Sequence, residues 1–174
     1  VKPKKMSKTA KIISGIVAVV VIILIVVSGG NKNETGPIKI GFIGPLVGNV
    51  SDLGQASKAS VEIAVDEINK LDGINGRQIE VVYEDGKCSP GPALSAAQKL
   101  INVDKVTAII GGLCSGETSS FVTQTSEAKI PVISYCSSAP ALSSSGPYFF
   151  RTYPSDSYQG KFAAEYAFNT LKAK

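Results

Sequence analysis

The stretch IKIGFIGPLVGNVSDLGQASKASVEIAVDEIN, residues 38–69, sets the architecture of the chain. Residues 38–43 form a short apolar run, which is typical of a buried strand. Residues 44–52 are rich in Gly, Pro, Asn and Ser and predict a loop. Residues 55–69 repeat apolar side chains at helical spacing, which places on one helix face Ala56, Ala59, Ile63, Ala64, Ile68 and Leu71. The stretch therefore predicts a strand, a loop and an amphipathic helix in succession.

The same alternation continues along the chain. Further strands are predicted at residues 78–83, 107–110 and 131–134, and residues 148–152 are an expected extension of the sheet. Helices are predicted at residues 90–103, 117–128 and 157–171, the last with Phe162, Tyr166 and Leu171 facing inward. Short apolar strands that alternate with helices predict an α/β fold with a doubly wound parallel sheet.

Ligands of such sheets bind outside the carboxyl ends of the strands, near the point where the strand order reverses. The loops at those ends are predicted at residues 44–52, 111–116 and 135–140. We therefore expect a binding site to be built from these three loops.

An apolar segment without charge, residues 12–27, precedes the predicted domain. Five lysines and no acidic residue come before it, and small residues follow at Ser28 and Gly29. Lysines on that side predict that everything after Gly30 is exported. Because the length of the segment lies between that of the apolar core of a signal peptide and that of a membrane span of about 20 residues, residues 1–30 are interpreted as a cleaved signal peptide or a retained membrane anchor. Residues 31–37 are interpreted as a linker and residues 38–174 as one globular lobe.

Charge and composition exclude several classes of function. The net charge of +4 comes from the leader, because from residue 31 onward 13 basic residues stand against 14 acidic ones. A nucleic-acid partner is therefore not expected. The chain has no His, which removes most hydrolase templates, and its three cysteines lack the CxxC spacing of a zinc site. No enzyme activity, catalytic residue, metal or cofactor is predicted.

A glycine-rich segment, GGLCSGET at residues 111–118, has the glycine spacing of a phosphate-binding loop. Glu117 stands where such a loop needs a lysine, and a carboxylate there would repel phosphate. The segment is therefore not interpreted as a nucleotide site.

Two of the three cysteines, Cys88 and Cys114, each follow a predicted strand in a chain that is predicted to be exported. Disulfides persist outside the cytoplasm, so we expect these two cysteines to be bonded, which would stabilise the fold by about 3.5 kcal/mol. The alternative is two unrelated buried thiols. Cys136 is then left over and is interpreted as a small buried apolar residue.

Serines follow the third and fourth predicted strands. Ser115 precedes a helix that Gly116 opens, where backbone N–H groups and the helix dipole would bind a carboxylate and the Ser115 hydroxyl would add a donor. The alternative is that Ser115 only caps its own helix. Ser137 and Ser138 carry hydroxyls that can accept from an ammonium or donate to a carboxylate, but they are equally compatible with an ordinary loop.

Five segments together resemble the leucine/isoleucine/valine-binding protein family, which consists of type I periplasmic binding proteins with two lobes. Besides residues 38–69, they are GINGRQIEVVYEDGKCSP at 73–90, VTAIIGGLCSGETS at 106–119, IPVISYCSSAPAL at 130–142 and YFFRTYPSDSYQG at 148–160. They follow the order and spacing of the family, and the resemblance covers about residues 37–171. It implies the first lobe of a Venus-flytrap fold, with the second lobe missing from these residues.

The resemblance also implies roles for individual residues. Cys88 and Cys114 match the two cysteines that form the disulfide of the family, and Ser115 matches the residue that binds the ligand carboxylate. The position of Ser138 hydrogen-bonds the amino acid head group in that family, and the carbonyl at the position of Cys136 accepts from the ammonium.

The ligand side chain is less well defined by the resemblance. Where several family members carry an aromatic residue that covers the ligand, this chain has Leu53, which suits an apolar side chain. Asn33 and Asn49 begin acceptor sequons that an exported protein could glycosylate.

The function implied is that of an extracytoplasmic substrate-binding component of an ABC importer. Such a component binds branched-chain or related amino acids, or amides, by lobe closure and presents them to the permease subunits. The expected partners are the ligand, the permease and, if the leader is retained, the membrane. The alternative is the extracytoplasmic ligand-binding domain of a membrane receptor or sensor, because one fold can serve both roles.

Overall fold

The computed structural model of the protein describes residues 36–174. The predicted leader, most of the predicted linker and the sequon at Asn33 lie outside these residues. Within residues 36–174, no helix is both long enough and apolar enough to cross a membrane.

Five strands alternate with four α-helices in the described residues. In chain order they are β1 (Ile38–Gly44), α1 (Ser51–Lys70), β2 (Ile79–Asp85), α2 (Pro90–Lys99), β3 (Ala108–Gly111), α3 (Ser115–Glu127), β4 (Val132–Ser134), β5 (Phe149–Arg151) and α4 (Asp156–Asn169). A π-helical turn at Leu100–Asp104 extends α2, and a 3-10 helix at Pro140–Ser144 precedes β5. The predicted alternation of strands and helices is confirmed.

The strands form one parallel sheet in the order β2-β1-β3-β4-β5. The predicted doubly wound α/β fold is therefore confirmed. Because β2 lies on one side of β1 and the remaining strands lie on the other, the order reverses between β1 and β3. That reversal is where a crevice is expected at the carboxyl edge.

One face of the sheet, here called the closed face, carries Val82, Ile109, Val132 and Phe149. Helices α2 and α3 cover it through a core that includes Ala93, Ala96, Ala97, Phe121 and Val122. Pro90 begins α2, where its fixed φ favours the first turn and its missing N–H costs no hydrogen bond. The closed face therefore holds the main hydrophobic core.

The opposite face, here called the open face, carries Tyr83, Phe42, Ile110, Ile133 and Phe150 in one row across the five strands. Phe42 is fully buried beside Tyr83, at 5.5 Å between ring centroids, under α1. Farther along the row, Ile133 is 46% exposed and Phe150 is 54% exposed. The described residues thus cover the first half of the open face and leave the second half exposed.

Helix α1 packs with a different side from the one that its periodicity predicts. Ile63 and Leu71, on the predicted apolar face, are 63% and 82% exposed, whereas Gly54 is buried. A side chain at position 54 would collide with the carbonyl oxygen of Pro45, so the glycine allows the preceding loop to approach this side of the helix. With the Gly54 side packed in this way, the predicted apolar face lies toward solvent within residues 36–174.

Helix α4 also differs from expectation. Phe162, Tyr166 and Leu171 were predicted to face inward, but each is more than half exposed. The prediction is wrong because no element within residues 36–174 buries any residue of α4.

Candidate functional site

The residues predicted to bind a ligand all lie at the carboxyl edge of the sheet. They follow β1, β3 and β4 directly or begin the helix after the strand: Leu53, Ser115, Gly116, Cys136, Ser137 and Ser138. Parallel strands end at the same edge, so residues that are far apart in sequence meet there. The crevice at the strand-order reversal is flanked by this set.

A disulfide joins Cys88 to Cys114, and the prediction of this bond is confirmed. The two Cα atoms are 5.3 Å apart, within the usual range for a disulfide. Cys88 lies just before α2 and Cys114 just before α3, so the bond ties together the first turns of the two helices that cover the closed face. Cys136 is a free cysteine and is half-buried.

Ser115 is the first residue of α3, and Cys114 occupies the N-cap position before it. The alternative in which Ser115 caps its own helix is therefore not supported. Its hydroxyl oxygen instead accepts a hydrogen bond from the N–H of Ala139 at 3.1 Å. Because the hydroxyl accepts in that bond, its own proton can still be donated to a ligand. The N–H groups of Ser115 and Gly116 belong to the first turn, where an α-helix provides no carbonyl for them.

Ser138 forms a pair with Asp156, the first residue of α4. The Ser138 hydroxyl donates to Asp156 Oδ2 at 3.0 Å, and the N–H of Asp156 donates to the Ser138 carbonyl at 3.0 Å. This pair places an exposed carboxylate beside the loop after β4. An ammonium group at this point would meet a negative charge and a hydroxyl oxygen together.

Ser137 lies behind the surface of the site. It is fully buried, and its hydroxyl lies 2.6 Å from the Thr118 hydroxyl and donates to the Gly112 carbonyl at 3.2 Å. These bonds connect the loop after β4 to the loop after β3. The geometry gives Ser137 a structural contact, and its predicted contact with a ligand remains untested.

An apolar groove of about 330 Å³ borders these polar groups. It is lined by Leu53, Ala56, Ser57, Ser60, Leu113, Tyr135, Cys136 and Tyr153. Leu53 is 58% exposed on the α1 side of the groove. Carbon-rich walls with polar groups at one end are typical of sites that bind small amphipathic molecules.

Two polar residues near the site were not identified from the sequence. Arg151, at the end of β5, donates to the carbonyl of Ala139 at 3.0 Å and to the hydroxyl of Ser143 at 2.6 Å. It therefore braces the loop from which the N–H of Ala139 donates to the Ser115 hydroxyl. The other is Asp156, whose only sequence signal is the capping serine, Ser155, directly before it.

The sequence gives no side-chain role to a third residue, Glu117, beyond its incompatibility with a phosphate-binding loop. It is fully buried, and burial raises the pKa of its carboxyl, while the N–H groups of Cys114, Leu113 and Cys88 oppose that rise. The Cys88 N–H lowers the pKa of the carboxyl through its backbone dipole, although it does not meet the geometry of a hydrogen bond to Oε1. Burial also raises the pKa of the nearby Tyr135 hydroxyl, and Glu117 adds to that rise. The capping-box spacing from Cys114 to Glu117 is the signal that could have revealed it.

Among residues 36–174, no cluster of three or more His, Cys, Asp or Glu side chains could hold a metal ion. Beside the bracing Arg151 and the buried Glu117, the polar groups that the site offers a ligand are hydroxyls, carbonyls, N–H groups and one exposed carboxylate. This arrangement can bind charged and polar groups of a small molecule by hydrogen bonds.

The chain is similar in sequence to known proteins. A family model described as periplasmic binding protein matches residues 37–174. The leucine-, isoleucine-, valine-, threonine-, and alanine-binding protein of Pseudomonas aeruginosa is 33% identical over 138 residues, which cover 79% of this chain and 37% of that protein. The leucine-specific-binding protein of Salmonella typhimurium is 34% identical over 170 residues, which cover 97% of this chain and 43% of that protein.

A solved structure is similar at the level of the fold as well. It is the branched-chain amino acid transporter substrate binding protein LivJ from Streptococcus pneumoniae in complex with isoleucine, with a TM-score of 0.72 and 36% identity. The match covers 78% of this chain and 39% of LivJ. The chain thus spans about two fifths of the length of the proteins that it matches.

Proposed function

The chain belongs to the periplasmic binding protein family, and from this premise we propose that residues 38–174 are the first lobe of a two-lobe solute-binding protein. Its ligands are branched-chain or related amino acids, or amides, which it captures outside the cytoplasm and delivers to an ABC importer. The names of the relatives support an amino acid as the ligand.

The observation that carries this proposal is that the carboxyl edge offers one group of hydrogen-bond donors and another group of acceptors. The hydroxyl of Ser115 and the N–H groups of Ser115 and Gly116 are donors, which suit the carboxylate of an amino acid. The Asp156 carboxylate and the Ser138 hydroxyl are acceptors, which suit its ammonium, and the carbonyl of Cys136 supplies a third acceptor in the same loop.

The apolar groove is proposed to take the ligand side chain. Leu53 and Leu113 contribute aliphatic surface, and Tyr153 contributes an aromatic ring. An aliphatic ligand side chain would gain roughly 25 cal/mol for each Å² of apolar surface that leaves water. The groove therefore favours leucine-like ligands over charged ones.

Closure of the two lobes over the ligand is the proposed mechanism, and the closed form is what the permease subunits recognise. The ligand leaves unchanged, so the protein acts as a binding component and not as an enzyme. Export would depend on residues 1–30, as a cleaved signal peptide or as a retained anchor in the membrane.

The proposal can be tested by calorimetry on the full-length protein with L-leucine, L-isoleucine and L-valine. A matched probe is 4-methylpentanoate, which is leucine without its amino group. We expect Ser115→Ala to weaken L-leucine binding by about 1 to 3 kcal/mol, because a hydrogen bond to a charged group is lost. Asp156→Asn should weaken L-leucine binding much more than binding of 4-methylpentanoate.

Ser95→Ala is a suitable control, because Ser95 is exposed on α2 and, among residues 36–174, its hydroxyl bonds only a carbonyl of its own helix, that of Gly91. Its L-leucine affinity should equal that of the wild type. Unchanged affinity in Ser115→Ala would reject the assigned carboxylate contact. No binding of any amino acid or amide to the wild type would reject the ligand class.

A further inference from the structure

Glu117 is enclosed within the carboxyl edge of the sheet, next to the candidate site. Its Oε2 accepts hydrogen bonds from the N–H of Leu113 at 2.9 Å and from the N–H of Cys114 at 3.3 Å. The hydroxyl of Thr118 accepts from the N–H of Gly112 at 3.0 Å. Two side chains from the first turn of α3 thus bond three consecutive N–H groups of the loop that precedes it.

The surrounding backbone leaves space for this carboxyl. Gly86 lies so close to Glu117 Oε1 that a side chain at position 86 would collide with it. A Cβ at Gly112 would lie 2.5 Å from Oε2, and its three closest atoms would all belong to Glu117. Among the described residues Oε1 has no partner that meets the geometry of a hydrogen bond, whereas Oε2 has two in the loop before α3. The carboxyl therefore acts on that loop through Oε2.

The bonds of Glu117 affect which donors remain for a ligand. The N–H groups of Leu113 and Cys114 are occupied, and those of Ser115 and Gly116 follow immediately in the first turn of α3. In return, Cys114 Sγ accepts from the N–H of Glu117, which closes a capping box around the turn. A shift of this turn would move the Ser115 hydroxyl away from Ala139.

We infer that Glu117 positions the candidate carboxylate site: by bonding the N–H groups of Leu113 and Cys114, it fixes the turn before α3 and leaves Ser115 and Gly116 to supply the donors that a ligand meets. The inference rests on the proposed function. Because Glu117 is fully buried, it touches no ligand and acts through Ser115 as a positioning residue.

The test compares Glu117→Ala and Glu117→Gln with the wild type. L-leucine affinity is measured by calorimetry, and the exchange rates of the Leu113 and Cys114 amides are measured by NMR or mass spectrometry. We expect Glu117→Ala to weaken L-leucine binding by roughly tenfold or more and to accelerate exchange at both amides. Glu117→Gln keeps an accepting oxygen of the same reach, so it should restore both properties to within about threefold.

Val122→Ala is the control for general damage to the same helix. Val122 packs in the closed-face core, so this variant should lower stability without changing L-leucine affinity or exchange at Leu113 and Cys114. Should Glu117→Ala fail to fold, Glu117→Met replaces it, because methionine fills the space but accepts no strong hydrogen bond.

Two further outcomes separate this inference from the proposed function. Wild-type affinity together with wild-type exchange in Glu117→Ala would overturn the inference while leaving the proposed function intact. If the wild type does not bind L-leucine, the proposed ligand is at fault, and the exchange data alone decide about the turn. Faster exchange in Glu117→Ala but not in Glu117→Gln would then support the inference, and unchanged exchange would reject it.

Discussion

The two faces of the sheet can be compared at neighbouring residues of a single strand. In β4, Val132 points to the closed face and is fully buried, whereas Ile133 points to the open face and is 46% exposed. Both side chains are β-branched and apolar, so their hydropathy does not account for the difference. What differs is the cover, since α2 and α3 pack on the closed face around Val132, whereas Ile133 on the open face has no comparable cover within residues 36–174. Strand hydrophobicity therefore predicts the sheet but not which of its residues are buried.

The largest loss of stability is expected from a substitution in the core of the closed face. Phe121 is fully buried in the core between α3 and the sheet, so Phe121→Ala should lower the unfolding free energy by about 3 to 5 kcal/mol through lost burial and a cavity. Urea denaturation of the variant and the wild type would measure it. A loss below about 1 kcal/mol would mean that the closed face does not dominate stability.

Removal of the disulfide is the second test, because this bond joins the segments at the N-termini of the two helices that cover the closed face. Replacing both Cys88 and Cys114 by Ala should lower the unfolding free energy by about 3.5 kcal/mol, because the 26-residue separation is no longer constrained in the unfolded chain. Cys136→Ala is the matched control, since Cys136 is free and half-buried. Equal effects of the two changes in urea denaturation would contradict the assigned role of the bond.

The pH dependence of stability tests the buried carboxyl of α3. Burial raises the pKa of Glu117 in the folded protein, so the folded state keeps a proton that the unfolded chain has released. The stabilising contribution is therefore complete below the unfolded pKa of about 4.5 and is lost as pH rises through the folded pKa. The titratable groups that face it are Asp85 from β2 and Tyr135 from the loop after β4.

Glu117→Gln removes this titration. The unfolding free energy of the wild type, measured relative to that of the variant, should decrease as the pH rises from below about 4.5 through the raised pKa of the folded state. Chemical denaturation at several pH values would show the trend. A relative stability that stays flat or rises over this range would contradict the raised pKa.

The smallest expected effect belongs to the open face. Phe150 is 54% exposed, so Phe150→Ser should change the unfolding free energy by no more than about 0.5 kcal/mol. Urea denaturation beside Phe121→Ala gives the direct contrast between the faces. If the two variants lost similar stability, the distinction between a closed and an open face would fail.

Much of the fold could be predicted from the sequence because it depends on local patterns. Short apolar strands and helical periodicities predict the alternating elements, and their alternation predicts a parallel sheet. The Cys88–Cys114 bond was predictable because both cysteines follow strands that end at one edge. The side of α1 that packs was not, because it depends on the approach of Pro45 to Gly54, two residues from different elements.

The candidate site was predictable only where its residues follow strands. The position of Ser115 and Ser138 at this edge could be predicted because each follows a strand, whereas their roles toward a ligand were implied only by the family resemblance. Asp156 lies 18 residues after its partner Ser138, and their contact depends on the course of the chain through β5. The role of Glu117 could not be predicted from the usual sequence signal, because its capping-box partner is Cys114, and a cysteine is not among the residues that usually indicate a capping box.

The space around Glu117 has a consequence for how this sequence can diverge. At Gly112 the three atoms that a Cβ would approach most closely all belong to the Glu117 side chain. An alanine at position 112 therefore becomes permissible only after position 117 has changed to a shorter residue, so the order of the two mutations matters. The two positions should therefore evolve as an epistatic pair. A sequence that first replaces the glutamate can then accept a side chain at position 112, whereas the opposite order passes through an intermediate with a steric clash.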